Sequence, residues 1–418
     1  MQAAILSPPP PPPSIRRGRP PCLPVVRAGT GGCLDTRSIK GADSDSSAGG
    51  NTGQEKKTET LAAGYVPALD GLRGLAALMV VLTHLPARGK WFGGGFMGVD
   101  IFFVLSGYLI CGLLLREWEK TGHISLPRFY MRRFLRLMPA LWAAVVVVLM
   151  AAWLHDAGSV QRIARAAMWT VLYLVNWVRA LRIESVPWFH HTWSLAVEEQ
   201  FYLFWPALLC FAVRRSGVRR VFQLALALAL LSWAWRAGLQ WAGTEQNRLY
   251  HGLDTRLDAP MWGCALAAWL HGKGAIKGRA AQHWLRLAAA VALAIVLYAG
   301  VAMKISLWHS KSFYSWGSVA IAWLTALMIF DATRNPRSWL RPIFCWAPLV
   351  QFGVISYGVY LWHILAGDLL RWAQPSVLMA QMGMLLLGTA AALLSFYIVE
   401  RPFLRLKKHF EAVPMARE

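Results

Sequence analysis

The sequence predicts an all-α polytopic membrane protein with about ten transmembrane helices and one re-entrant or interfacial segment near 166–183. Three observations carry this. Hydrophobic residues make up 56% of the 418 and charged residues only 15%, against about 25% charged in an average globular chain. Apolar runs lie near 66–86, 96–115, 139–155, 193–213, 221–241, 258–271, 285–303, 314–331, 346–366 and 377–399. Each is close to the ~20 residues a spanning helix needs, with 258–271 short. The basic residues fall between these runs, in alternate loops.

Before the first run, residues 1–60 read as a disordered cytoplasmic tail, or as an over-extended start of the gene. Six consecutive prolines, Pro8–Pro13, precede the Gly/Ser-rich DSDSSAGGNTG, which has too little apolar surface to bury. No apolar core with a cleavage site marks a signal peptide. Residues 61–405 then form the transmembrane domain, and 406–418 a short cytoplasmic tail. Cys22 and Cys33 lie in the first tail; Cys111, Cys210, Cys264 and Cys345 lie in apolar runs at unrelated spacings. That pattern implies neither a disulfide framework nor a metal site.

Charge sets the topology. With 43 Lys+Arg against 21 Asp+Glu the net charge is +22, and in a soluble domain that would suggest nucleic acid. Here the clusters sit between spans, where they read as topology signals and lipid-headgroup contacts rather than a nucleic-acid surface. They are Arg116–Arg136, RRSGVRR at Arg214–Arg220, His271–Arg286, Thr333–Pro342 and the stretch after Glu400. The positive-inside rule then places both termini in the cytoplasm, with an even number of spans. The segment 166–183, AAMWTVLYLVNWVRALRI, carries Asn176, Arg179 and Arg182. As a full span it would invert every later loop, so it reads as re-entrant or interfacial.

Several ionisable groups lie inside the apolar runs, and such groups usually mark a functional path. In YVPALDGLRGLAALMVVLTHL, Arg73 and His84 are eleven residues apart. That brings them within ~20° of one another on a helix, ~16 Å apart along its axis, with Asp70 ~40° off the line. Arg73 is the inner end of this stripe and His84 the outer. Asp100 enters the second run, either facing an Arg/His cavity or sitting as an acid at a helix N-terminus. Ser106–Gly107 lies mid-run, where glycine permits close helix approach. In HTWSLAVEEQFY, His191, Ser194 and Glu198 share one face, followed by Glu199 and Gln200. Two adjacent carboxylates in a membrane helix either hold a cation or orient a histidine, unless the helix end is solvated. In RRFLRLMP, Arg132 and Arg136 share a face beside Arg133. They read either as a phosphate clamp or as a plain stop signal. Arg256 and Asp258 are placed to pair with each other, while Tyr357, Tyr360, His363 and the terminal Glu400–Arg401–Pro402 read as structural.

Taken in order, DGLRGLAALMVVLTH, GVDIFFVLSGYLI, RRFLRLMP, HTWSLAVEEQFY, RLDAPMWG, ISYGVYLWH and ERP make the chain resemble the acyltransferase-3 family over roughly residues 64–405. The resemblance implies an integral-membrane enzyme, in a bacterial inner membrane. It would transfer an acyl group, commonly acetyl, from acyl-CoA to a hydroxyl of a sugar, polysaccharide or lipid-linked acceptor. The family's required Arg and His match Arg73 and His84, and its glutamates match Glu198 and Glu199. Some members carry an esterase-like domain after the last span; with about sixteen residues after Pro402 none is expected here. No bound cofactor or metal is expected. His84 would be the general base, with Asp70 or a glutamate orienting it. Arg73 would hold donor phosphate or steady the oxyanion, and Arg132, Arg133 and Arg136 would grip CoA phosphates. Asp100, His191 and Ser194 complete the expected site. Two readings from other classes are a polar-solute transporter and an inactive accessory subunit. Against the first, no second copy of the charged motifs gives the paired halves usual in transporters.

Overall fold

The computed structural model describes residues 65–85, 92–155, 157–303, 313–371 and 376–410. The expected tail 1–60, with Cys22 and Cys33, lies outside the described residues, as do 411–418. Among the described residues every element is a helix.

The elements in order are α1 (Pro67–Thr83), α2 (Gly98–Thr121), α3 (Leu126–His155), α4 (Val160–Val171), α5 (Val175–Ala180) and α6 (Trp193–Trp241). There follow α7 (Gln246–His251), α8 (Leu253–Arg256), α9 (Asp258–Leu270), α10 (Arg279–Ala302) and α11 (Ser318–Arg334). The last are α12 (Leu340–Phe344), α13 (Ala347–Val354), α14 (Ser356–Arg371), α15 (Val377–Ser395) and α16 (Arg401–Lys407).

All ten expected runs fall on helix within the described residues, but they are not ten separate long helices. Six helices are long and apolar enough to cross a membrane, or seven if the pair α13–α14, bent by 72°, is one span. The difference has a local cause. Two runs lie in α6, whose 49 residues are broken at Ser216 and Gly217. Gly217 takes φ +69°, inside RRSGVRR, where glycine has no Cβ to oppose the turn. The first run gives only the 17 residues of α1, and the short run only the 13 of α9.

The segment 166–183 is no continuous helix. It breaks at Tyr173 between α4 and α5. Tyr173, Arg182 and Trp188 all take positive φ, at 54°, 54° and 64°, a conformation costing about 1–3 kcal/mol each that the surroundings must enforce. Part of that enforcement is a reciprocal amide pair. Asn176 donates to Gln200 at 3.2 Å, and Gln200 donates back at 3.0 Å and to the Tyr173 carbonyl at 2.6 Å. Arg179 donates to the His190 carbonyl at 2.6 Å.

Polarity is arranged inside out. Trp241, Leu154, Tyr298 and Phe211 are exposed, while Asp100, Arg236, Arg256 and Asp258 are buried. That is the arrangement hydrocarbon requires, since a charge facing lipid is costly and paired charges turn inward. The chain is a helical membrane protein. Where α2 crosses α9, Gly107 and Gly263 let the backbones meet. A Cβ on Gly107 would lie 1.9 Å from the Pro260 carbonyl, and one on Gly263 2.0 Å from that of Val104. The close approach expected at Ser106–Gly107 is therefore present.

Candidate active site

Helices α1, α2, α3, α6 and α14 enclose a cavity of about 670 Å³, its mouth included. α1 contributes Arg73, and α3 contributes Arg133 and Arg136. α6 contributes Ser194, Glu198 and Tyr202, α2 contributes Phe102, Phe103 and Ser106, and α14 contributes Ser356, Tyr357 and Tyr360. Three arginines thus face one carboxylate. The excess of guanidinium suits an anion with several oxygens, because each fork can grip two of them.

Each polar group is held from behind. Glu198 accepts short hydrogen bonds from the Ser106 and Tyr202 hydroxyls, so two neutral donors fix the carboxylate on the wall. Arg73 keeps Asp70 at 3.2 Å, one turn back on α1. Arg133 lies over the Tyr202 ring at 4.6 Å, a cation–π contact that aims it across the cavity. Arg136, one turn on from Arg133, shares its face, and its charge acts on the buried Glu400. Tyr357 donates to the Leu137 carbonyl at 2.8 Å. Tyr360 donates its hydroxyl proton to the His191 carbonyl. Its oxygen then accepts from Ser194.

A second polar group lies beyond Tyr360. Its ring centroid is 5.5 Å from that of His191 and 5.8 Å from that of His363. The His363 ring stands edge-on to His191 at 5.7 Å and to His84 at 5.2 Å. His84 follows the last residue of α1, and its Nδ1 lies 2.8 Å from the Val80 carbonyl. His191 Nε2 donates to the Leu361 carbonyl at 3.2 Å, leaving Nδ1 buried with no protein partner. Arg73 and His84 therefore stand at opposite ends of one stripe, as their spacing implies, with Tyr360 linking the arginine cavity to the histidines.

Several placements differ from the sequence reading. Arg132 does not join Arg136 on the cavity. It turns to Glu117 at 3.3 Å and to the Phe410 carbonyl at 2.8 Å, because one residue of helix is ~100° of rotation and Arg133 takes the inward face. Asp70 holds Arg73 rather than orienting His84. Asp100 does not line the cavity; it is buried against Arg256 at 2.7 Å. Arg256 therefore does not pair with Asp258, which receives two bonds from Arg236, at 2.6 and 2.8 Å. Glu199 turns away from the cavity, with Oε1 buried and unpartnered. Tyr357, Tyr360 and His363, read as structural, stand on the cavity wall or in the histidine group. One signal was available: they recur every third residue on an apolar helix, as polar residues do in His191–Ser194.

The acyltransferase-3 family, described as an acyltransferase domain, matches residues 66–400, and the chain belongs to it. Its relatives include the peptidoglycan O-acetyltransferase OatA of Listeria monocytogenes serovar 1/2a. The two are 35% identical over 368 residues, 83% of this chain and 57% of that protein. The O-acetyltransferase OatA of Staphylococcus aureus strain NCTC 8325 is 33% identical over 312 residues, 72% of this chain and 50% of its own length. The chain thus spans about half the length of the curated relatives it matches. No solved structure matches it.

Proposed function

We propose that this protein is a membrane-embedded O-acyltransferase that moves an acetyl group from acetyl-CoA to a hydroxyl of a cell-wall glycan of the peptidoglycan kind. The family and the relatives' names support the reaction class and the acceptor. The observation that carries the site is α1 itself, with Arg73 in an arginine-lined cavity and His84 in a histidine group one wall away. Arg73, Arg133 and Arg136 grip the donor's phosphates from the cytoplasmic side. The acyl end reaches past Tyr360 toward His84. His84 takes the acceptor hydroxyl's proton, and the oxygen attacks the thioester carbonyl carbon. The tetrahedral oxyanion then collapses, the C–S bond breaks, and the proton passes from His84 to the leaving thiolate. The ester and free CoA result. Glu198, fixed by Ser106 and Tyr202, positions the arginines by charge.

Arg133 and Arg132 separate donor binding from packing. Arg133→Ala is expected to raise the KM for acetyl-CoA about tenfold or more, the value of one lost charge-assisted contact, with little change in kcat. Arg132→Ala is expected to leave KM near normal and to lower stability, because Glu117 loses its charged partner and keeps the neutral Ser125 backbone N–H at 2.8 Å. An acetyl-CoA titration in proteoliposomes, following CoA release with glycan present, reads both. An unchanged KM in Arg133→Ala would remove the arginines from the donor site.

We further propose ten crossings, with α6 crossing twice about its Ser216–Gly217 break, 166–183 re-entrant and both ends of the domain cytoplasmic. Reporters fused after Arg220 and after Arg405 are both expected to read cytoplasmic. An external Arg220 would make 166–183 a full crossing.

A further inference from the structure

His363 lies on α14, outside the arginine cavity, and is buried with 1% of its surface exposed. Its position is set by close packing. Gly388 of α15 lies against its backbone, where a Cβ would stand 2.9 Å from the His363 Cα. Its Nδ1 is 3.0 Å from the Val359 carbonyl. A carbonyl oxygen only accepts, so that nitrogen carries the proton, and the other, Nε2, presents a lone pair. The lone pair meets His84, whose Nδ1 is 3.4 Å away. By the same logic His84 Nδ1 carries a proton, because it faces the Val80 carbonyl at 2.8 Å. That carbonyl needs the side chain. The His84 backbone N–H reaches back only three residues, to Val81 at 3.0 Å, as at many helix ends. The His84 Nδ1–H is thus shared between the Val80 oxygen and the His363 lone pair, and the sharing accounts for the longer second distance.

We propose that His363 is a positioning residue for the acyl transfer, its Nε2 accepting from His84 Nδ1–H so that His84 presents Nε2 as the base. The proposal rests on His84 being the base of the reaction described above. His363 does for His84 what a carboxylate does for histidine in a hydrolase triad: it fixes the ring and faces the N–H that remains when the other nitrogen gains a proton. A neutral imidazole suits this place, since a carboxylate would be one more buried charge in an apolar helix. Val80, on the same helix as His84, anchors one edge of the ring, and His363 meets that edge from a different helix.

Two substitutions separate this from plain packing. His363→Leu keeps bulk but loses the lone pair. It is expected to lower kcat roughly tenfold to a hundredfold, with the acetyl-CoA KM within twofold of normal and the detergent-solubilised protein equally heat-resistant. His363→Gln, whose side-chain oxygen can reach the Nε2 position, is expected to recover most of the turnover. In a His84→Ala background His363→Leu is expected to cost nothing further, because it acts through His84. Four results would overturn the proposal. They are near-normal kcat in His363→Leu, no difference between Leu and Gln, a multiplied loss in the double variant, or turnover surviving in His84→Ala. Only the last also removes the base assignment, so the two failures are told apart by the His84→Ala single variant.

Discussion

His84→Ala is expected to abolish acetyl transfer, lowering kcat by on the order of 10²–10⁴, the usual contribution of a general base. The loss should appear in kcat and kcat/KM alike, with the acetyl-CoA KM unchanged, because proton abstraction is an interaction of the transition state only. On the proposed assignment Arg73 and its neighbours, some eleven residues down the same helix, hold the donor, and the substitution leaves them untouched. The protein should still insert. The substitution removes the Nδ1–H that the Val80 carbonyl and His363 share, a hydrogen bond worth about 0.5–1.5 kcal/mol, at the end of a helix packed along its whole length. Arg73→Lys is the companion variant. Lysine keeps the charge beside Asp70 but loses the planar fork, so its defect should include a raised KM. Both are read in proteoliposomes at matched protein, by CoA release on addition of glycan. Near-normal turnover in His84→Ala would sink the base assignment.

The stripe behind this prediction was legible in the sequence because it lies on one helix, where spacing alone fixes which side chains share a face. The same holds for Ser194 and Glu198 on α6, with His191 on the 3₁₀ turn just before it. What spacing cannot give is the partner across the bundle. Asp100 and Arg256 are 156 positions apart, and nothing local ties them. Asp258 stands two residues from Arg256, so local reasoning paired those two, but Arg256 ends α8 and Asp258 opens α9, and the real partners come from α2 and α6. Arg132 and Arg133 are a similar case. Either could have faced inward, and the choice rests on Glu117, which waits on α2 at the Arg132 side. Tyr360 and His363 read as structural because tyrosine and histidine side chains often end spans. Their role depends on α1 and α6 standing against α14, which is a tertiary fact. The number of separate long helices differs from the number of apolar runs for another reason. Hydropathy marks apolar length, whereas Ser216–Gly217 and the α13–α14 bend divide or join helices by backbone geometry.

Asp100→Ala is expected to be the most destabilising substitution outside the site. Asp100 and Arg256 are both fully buried and 2.7 Å apart, with the guanidinium between the Phe103 and Tyr250 rings at 5.6 and 5.1 Å. Removing the carboxylate takes its charged partner from a buried cation, a change that costs about 3–5 kcal/mol. The place matters as well as the charge. The pair ties α2 to the end of α8, two residues before α9 begins, and the Gly107–Gly263 approach ties α2 to α9 itself. Loosening one end strains a backbone approach that tolerates no slack at the other. The Arg236–Asp258 pair stands beside it, yet Arg236 cannot serve Arg256, being a second cation. Replacing both partners with apolar residues, Asp100→Leu with Arg256→Met, removes the stranded charge and is expected to recover much of the lost stability. Thermal inactivation and the yield of monodisperse protein in detergent measure this. The acetyl-CoA KM of whatever protein remains folded should be unchanged, since neither residue reaches the cavity. A raised KM with normal heat resistance in Asp100→Ala would instead make Asp100 a donor contact, and the helix interface would then depend on its glycines alone.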